Sequence, residues 1–363
     1  MKSDTITNNS KKTILSVQYL RGVAAILVVF YHTNWFLDGV YAQENLGKLL
    51  FKTGAFGVDL FFVISGFIIC LSTEKKEKHG VYNFFIRRIF RIYPLLIISV
   101  TFFYLIIKPN SSLALFLKSI VPIHSDYTAG SPFFGFNLLD SAWTITYELS
   151  FYILFAICIL ISHKYRSLLS IFFLLITFIS SSYFFNNSIS LDAYFKSNNS
   201  LNYNIFSLFY SSMFLDFIYG VIIYICYKHI SLKFNIFLKS FPYIMLLLTC
   251  LILSQLDLFY GHGPLKWGLI SAFIVFSCVM YEKSYGIKYR DWLKYLGDIS
   301  YSIYIVHILV LECVYRFDTH LYPNTSGFTR MLIVLSIVII VSIALHELVE
   351  KKFISIGKKL LLK

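Results

Sequence analysis

Apolar runs long enough to cross a bilayer recur along this chain, separated by short polar connections rich in Lys and Arg. A crossing helix rises about 1.5 Å per residue and needs about 20 apolar residues. On that measure the pattern predicts about ten crossings. They fall at 14–36, 54–72, 94–108, 141–162, 167–185, 204–227, 239–256, 265–281, 298–316 and 329–349. The run 113–122 is apolar but too short to cross, which predicts a re-entrant or interfacial segment. The predicted fold class is an all-α polytopic membrane protein. Its transmembrane unit spans 14–349, between a polar tail at 1–13 and a second tail at 350–363.

Charge orients this topology. Starting from a cytoplasmic N-terminus, and counting residues at the edge of a span with the adjoining connection, the cytoplasmic side carries 23 Lys and Arg against 8 on the opposite side, with Arg21 well inside a span. Positive residues are retained on the cytoplasmic side during insertion, so both termini are expected there. The same bias accounts for a formal net charge of +13 without a nucleic-acid partner. Composition agrees: 57% of the 363 residues are hydrophobic and only 14% charged, against about 25% in soluble domains. The first run, from Ile14 to Phe36, is too long for a signal-peptide core and reads as an uncleaved span. The six cysteines lie in apolar runs with no metal-type spacing, so neither a disulfide framework nor a metal site is expected.

Ionisable residues inside the spans are costly and need a reason. In SVQYLRGVAAILVVFYH, Arg21 and His32 are eleven positions apart. At about 100° per residue they share one helix face, roughly 16 Å apart along the axis. Arg21 suits either snorkelling to headgroups or a ligand. Asp59, in GVDLFFVISGF, falls at a depth similar to His32. A carboxylate there would orient the imidazole as a general base, or serve a structural helix–helix pair. Ser65 and Gly66 in the same run suit close helix packing.

Further along, NFFIRRIFRIYP carries Arg87, Arg88 and Arg91, suited equally to the membrane surface and to clamping phosphates. SAWTITYELSFY buries Glu148, with Tyr152 one turn deeper. In LGDISYSIYIVH, Ser300, Tyr304 and His307 line one face. His346, Glu347 and Glu350 fall near the cytoplasmic boundary, where paired or solvated charges are expected, and Asp216, midway along the sixth span, has no assigned role.

Together these segments resemble the membrane-bound acyltransferase family 3, over nearly the whole chain. The resemblance rests on Arg21 with His32, GVDLFFVISGF, RRIFRIYP, SAWTITYELSFY and LGDISYSIYIVH, in that order. It implies a bacterial inner-membrane enzyme that takes an acyl group, usually acetyl, from cytoplasmic acyl-CoA. The acceptor it implies is a sugar hydroxyl of a lipid-linked or surface polysaccharide, such as O-antigen, lipopolysaccharide or exopolysaccharide. Many family members carry a C-terminal SGNH-type domain. None is expected here, so a relay to one would need a separate acyl-accepting partner. On these residues, His32, Asp59 and Glu148 become catalytic candidates. Arg21, Arg87, Arg88, Arg91, Ser65, Tyr304 and His307 become candidates for holding acetyl-CoA, with no metal required. Direct transfer and a transient acyl-histidine both remain open. The competing expectation is a transporter or flippase, since buried charges mark substrate paths there too. Against it stands the lack of an inverted repeat.

Overall fold

The computed structural model describes residues 14–196, 204–230, 259–318 and 320–362, with four isolated helical positions between 231 and 258. Among the described residues every regular element is helical. The helices are α1 (Leu15–Thr33), α2 (Leu46–Phe51), α3 (Gly57–Ser72), α4 (Gly80–Phe102), α5 (Leu113–Ile120), α6 (Trp143–Ile161), α7 (Arg166–Asn186) and α8 (Phe214–His229). They continue as α9 (Trp267–Tyr285), α10 (Asp291–Asp298), α11 (Ser300–Phe317), α12 (Gly327–Leu345) and α13 (Lys351–Lys359). Among the described residues, seven helical segments are long and apolar enough to cross a membrane. The expected eighth span matches α9, of 19 residues, whereas the expected sixth, 204–227, is split: a 3-10 turn at Ile205–Tyr210 precedes α8, which begins at Phe214 and has 16 residues. The expected span 239–256 and the tail 1–13 lie outside the described residues, apart from the isolated positions.

Two further boundaries differ from the hydropathy pattern. The third span was expected from Pro94, but α4 begins at Gly80 and runs through a π-helical turn to Ile107, 28 residues in all. The arginines interrupt the hydropathy, not the helix, and Pro94 sits inside it. A mid-helix proline costs a hydrogen bond, which packing on both sides offsets. At the C-terminus, α12 passes through a π-helical turn, His346–Glu350, into α13. The 350–363 segment is therefore helical to Lys359 and packs along α4. There the Asn83 amide donates to the Leu362 carbonyl at 2.8 Å and accepts from its N–H at 2.9 Å.

Short contacts fix the ends of the bundle. The unsatisfied N–H groups that open α1 are capped by a distant carboxylate. Leu15 N and Ser16 N donate to Glu282 at 2.8 and 2.7 Å. The start of α1, the end of α9 and the Asn83 contact share one end, called here the basic end because Lys75, Lys76 and Lys78 lie beside it. The 113–122 run forms the eight-residue helix α5 and then a loop, which close the far end over α6.

Within the bundle, α3 and α8 make the most extensive contact. Lipid chains are as apolar as the helix surfaces, so helices associate through close packing more than hydrophobic drive. Glycine permits that closeness here. A Cβ on Gly66 would lie 2.2 Å from the Phe217 carbonyl oxygen, and one on Gly220 would lie 2.0 Å from the Val63 carbonyl oxygen. The Phe62 and Phe217 rings stack beside the crossing at 4.7 Å.

Substitution tests the crossing. Gly220→Leu should destabilise the protein by about 1–3 kcal/mol or abolish its folded yield, read by thermal unfolding in detergent. Gly80→Ala, where an added Cβ meets nothing within 4 Å, should be near neutral. The far-end loop carries a pH dependence. His124 is buried among the rings of Tyr127, Phe134 and Tyr147, and burial pushes its pKa down to about 4. The unfolded imidazole, near its ordinary 6.5, takes up its proton first. The stability this group contributes is therefore full above pH ~6.5 and lost as pH falls towards ~4, by about 3 kcal/mol. His124→Gln should flatten that part of the stability–pH curve.

Candidate active site

A cavity, open on one side, lies between α1, α3, α4, α6 and α11. Arg21, Arg88 and Arg91 reach it from α1 and α4, and Ser65, Glu148 and Tyr152 meet them from α3 and α6. Glu148 is held from two sides: Ser65 Oγ donates to its Oε1 at 3.0 Å, and the Tyr152 hydroxyl donates to the same atom. The Arg88 guanidinium lies 5.1 Å over the Tyr152 ring and donates to Ser72 Oγ at 3.0 Å. Arg21 and Arg91 make no hydrogen bond or ion pair among the described residues, so two half-buried guanidinium forks face the cavity with donors unspent. Three fixed positive groups, one carboxylate and two hydroxyls make an anion-receiving chamber with a polar end.

Of the four expected arginines, Arg87 is the exception. It turns away from the cavity and pairs with Glu77 at 3.2 Å. Arg87 precedes Arg88 by one residue, and about 100° of helix rotation carries its side chain off that face.

Two histidines stand one ring behind the cavity wall. Tyr304 lines the cavity, and its hydroxyl donates to the Ser141 carbonyl at 3.0 Å and lies 2.9 Å from Thr144 Oγ1. The His307 ring is 5.9 Å from the Tyr304 ring and 4.9 Å from the His32 ring, inclined to the latter at 61°. His32 Nδ1 donates to the Val28 carbonyl at 2.9 Å, and His307 Nδ1 to the Ile303 carbonyl at 3.2 Å. A carbonyl only accepts, so each Nδ1 carries the proton and each Nε2 keeps a free lone pair while the ring is neutral.

Asp59 does not orient His32, contrary to the depth argument. It pairs with His262 Nδ1 at 2.7 Å and accepts from Gly263 N at 2.9 Å. The face Asp59 presents is not the one towards α1. Gly57 packs on the Ala24 carbonyl of α1. Asp59, two residues on and about 200° round the helix, faces α8 and α9. Asp216 joins it there, in the first turn of α8 rather than midway along a span, and its Oδ1 occupies the space a Gly268 side chain would fill. His262 was missed by sequence reasoning. The signal was the Gly261-His262-Gly263-Pro264 turn, whose two glycines, both at φ +112°, fold the loop back over Asp59.

At the basic end, Glu350 is 2% exposed, bonded to His346 at 2.8 Å and Ser302 at 2.9 Å, whereas Glu347 pairs with Lys351 at the surface. No group of three or more His, Cys, Asp or Glu side chains suits a metal among the described residues.

Residues 14–347 match the model of the family-3 acyltransferase domain. The chain belongs to the acyltransferase-3 family. With its apolar crossing helices it is a multi-pass membrane acyltransferase. That decides between acyl transfer and transport, the two expectations drawn from the buried charges. It is 25% identical over 314 residues to a protein of Acidianus two-tailed virus assigned as an acetyltransferase, covering 82% of this chain and 83% of that one. It is 24% identical over 337 residues to assigned O-acetyltransferases of Staphylococcus aureus, with 82% of this chain and 50% of theirs aligned. This acyltransferase thus spans about half the length of those relatives. A shorter stretch of 92 residues is 34% identical to the peptidoglycan O-acetyltransferase OatA of Listeria monocytogenes, covering 24% of this chain and 13% of that enzyme. No solved structure matches.

The Asp59–His262 contact has a measurable consequence. Asp59→Asn and His262→Ala should each destabilise the acyltransferase by about 3–5 kcal/mol, since each strands a buried partner. The double variant should cost little more than either single one in detergent unfolding. Additive losses would mean the two side chains act independently.

Proposed function

We propose that this acyltransferase moves an acetyl group from cytoplasmic acetyl-CoA to a sugar hydroxyl of a lipid-linked or surface polysaccharide, such as O-antigen or exopolysaccharide, at a bacterial inner membrane. The observation that carries the reading is the convergence of Arg21, Arg88 and Arg91 on one cavity that ends at Glu148. Coenzyme A is a polyanion at one end and a neutral pantetheine arm at the other. Planar guanidinium forks suit its phosphates, and the apolar residues that line the rest of the cavity, among them Val58, Phe61 and Ile68, suit the arm. Arg87, paired with Glu77, would lie outside that grip and add only long-range charge.

The transfer exchanges a thioester for an ester. The acceptor hydroxyl attacks the acyl carbonyl and loses its proton, the C–S bond breaks, and the thiolate is protonated. Thioesters are already reactive, so the protein's task is to supply a base, hydrogen-bond donors for the developing oxyanion, and orientation. His32 Nε2 suits the base, because Nδ1 is committed to the Val28 carbonyl. That carbonyl, rather than Asp59, would fix the tautomer. Glu148 would balance the arginines and hold the Ser65 and Tyr152 hydroxyls in place. Tyr304 would form the wall between the donor arm and the histidines. Direct transfer and a transient acyl group on His32 Nε2 are both compatible with this arrangement.

Purified protein in nanodiscs should release thiol from acetyl-CoA when acceptor glycan is present. Surface polysaccharide from cells carrying the gene should show O-acetyl signals by NMR. His32→Ala should remove both while the protein stays in the membrane. Arg91→Ala should raise the acetyl-CoA KM by about 10- to 100-fold, the worth of a charge-assisted hydrogen bond, whereas Arg87→Ala should shift it by less than about threefold. Full acetylation by a well-inserted His32→Ala variant would overturn the assignment.

A further inference from the structure

Proposed function leaves one buried imidazole without a task in the chemistry. His307 is completely buried, and its Nε2 has no hydrogen-bond partner among the described residues. An acceptor stranded in this way is unfavourable, so its persistence asks for a use. Its Nδ1 is spent on the Ile303 carbonyl, which leaves Nε2 as a lone pair that can only take a proton or a hydrogen bond. The groups within reach are few. His32 lies 4.9 Å away, ring to ring, and is half-buried towards the far end. Tyr304, one turn back on α11, lies 5.9 Å away and forms the cavity wall. Its hydroxyl is engaged by Ser141 and Thr144, so it does not compete for the lone pair. His307 thus stands between His32 and the cavity.

That order matches a difficulty in the transfer. The proton leaves the acceptor hydroxyl on one side of the reacting carbonyl, and the thiolate that needs a proton departs on the other. We propose that His307 is the second catalytic imidazole, carrying the proton from His32 to the leaving sulfur of the donor. His32 Nε2 takes the hydroxyl proton as the new C–O bond forms. When the C–S bond breaks, the proton passes from His32 Nε2 to His307 Nε2, and from there past the edge of the Tyr304 ring, which separates His307 from the cavity, to the thiolate. Both rings return to their starting tautomers, and the products are the ester and free thiol. No metal, oxidant or further reactant enters. The inference rests on the donor and base assigned under Proposed function.

The test uses the full chain in nanodiscs, with acetyl-CoA as donor, thiol release and ester formation as readouts, and size-exclusion profiles as the check on folding. His307→Gln keeps the volume but cannot carry a proton. It should lower kcat by about 10²- to 10⁴-fold with the acetyl-CoA KM within threefold of the starting protein. His307→Ala should be partly rescued by added imidazole, and the solvent deuterium isotope effect on kcat should rise in the rescued reaction. If either variant fails to fold, the other and His307→Asn carry the test. A His307→Gln kcat within threefold of the starting protein overturns the proposal. So does an effect confined to the acetyl-CoA KM, which would mark a donor contact. Proposed function fails separately: the unmodified protein would then release no thiol, or His32→Ala would remain active. An inactive His32→Ala beside a normal His307→Gln removes only the relay.

Discussion

A guanidinium group inside a bilayer-spanning bundle is tolerated only where it meets a counter-charge, a polar ligand or water. Around the cavity the protein's own side chains meet that condition for Arg88, while Arg21 and Arg91 are left to a ligand or water. Arg88 is accommodated by stacking on Tyr152 and bonding Ser72. Tyr152 in turn is tied to Glu148, and Glu148 to Ser65. The carboxylate brings negative charge to the same chamber without closing an ion pair on any arginine. The chamber is therefore left receptive to an anion, and it would be a poor design for a purely structural bundle.

The crossing helices were legible because hydropathy and length report bilayer solvation directly. The shared faces within one helix were legible too, since Arg88 with Arg91, and Tyr304 with His307, follow from the 3.6-residue period alone. What could not be read was the rotation of one helix against another. Asp59 turns to His262 rather than His32 because Gly57 and Gly66 set which faces of α3 meet α1 and α8. The π-helical turns at Phe103–Ile107 and His346–Glu350 were equally invisible, each shifting the face by one residue without a sequence marker. His262 escaped notice because its loop is polar and short, and only the tertiary fold brings it over a buried carboxylate.

The two ends of the bundle thus differ in kind. At the basic end, side chains cap and tie helices: Glu282 on α1, Asn83 on Leu362, Glu350 on Ser302 and His346. Towards the far end, Asp59, Asp216 and His262 gather where α3, α8 and α9 begin, and the loop after α5 closes over α6. Between them lies the cavity with its arginines, and behind its wall the two imidazoles. An acyl donor entering from one side and an acceptor from the other would meet at that wall, which is the geometry a transfer across a membrane requires.

Every role given to these residues depends on the acyl donor binding in the arginine-lined cavity. A photoreactive acetyl-CoA analogue, cross-linked to the full-length protein in nanodiscs and mapped by mass spectrometry, tests it directly. Labelling confined to peptides from α1, α3, α4, α6 and α11, suppressed by excess CoA and lost in an Arg88→Ala/Arg91→Ala variant that still folds, is the predicted result. Labelling elsewhere in the bundle, or labelling that CoA does not suppress, would contradict it.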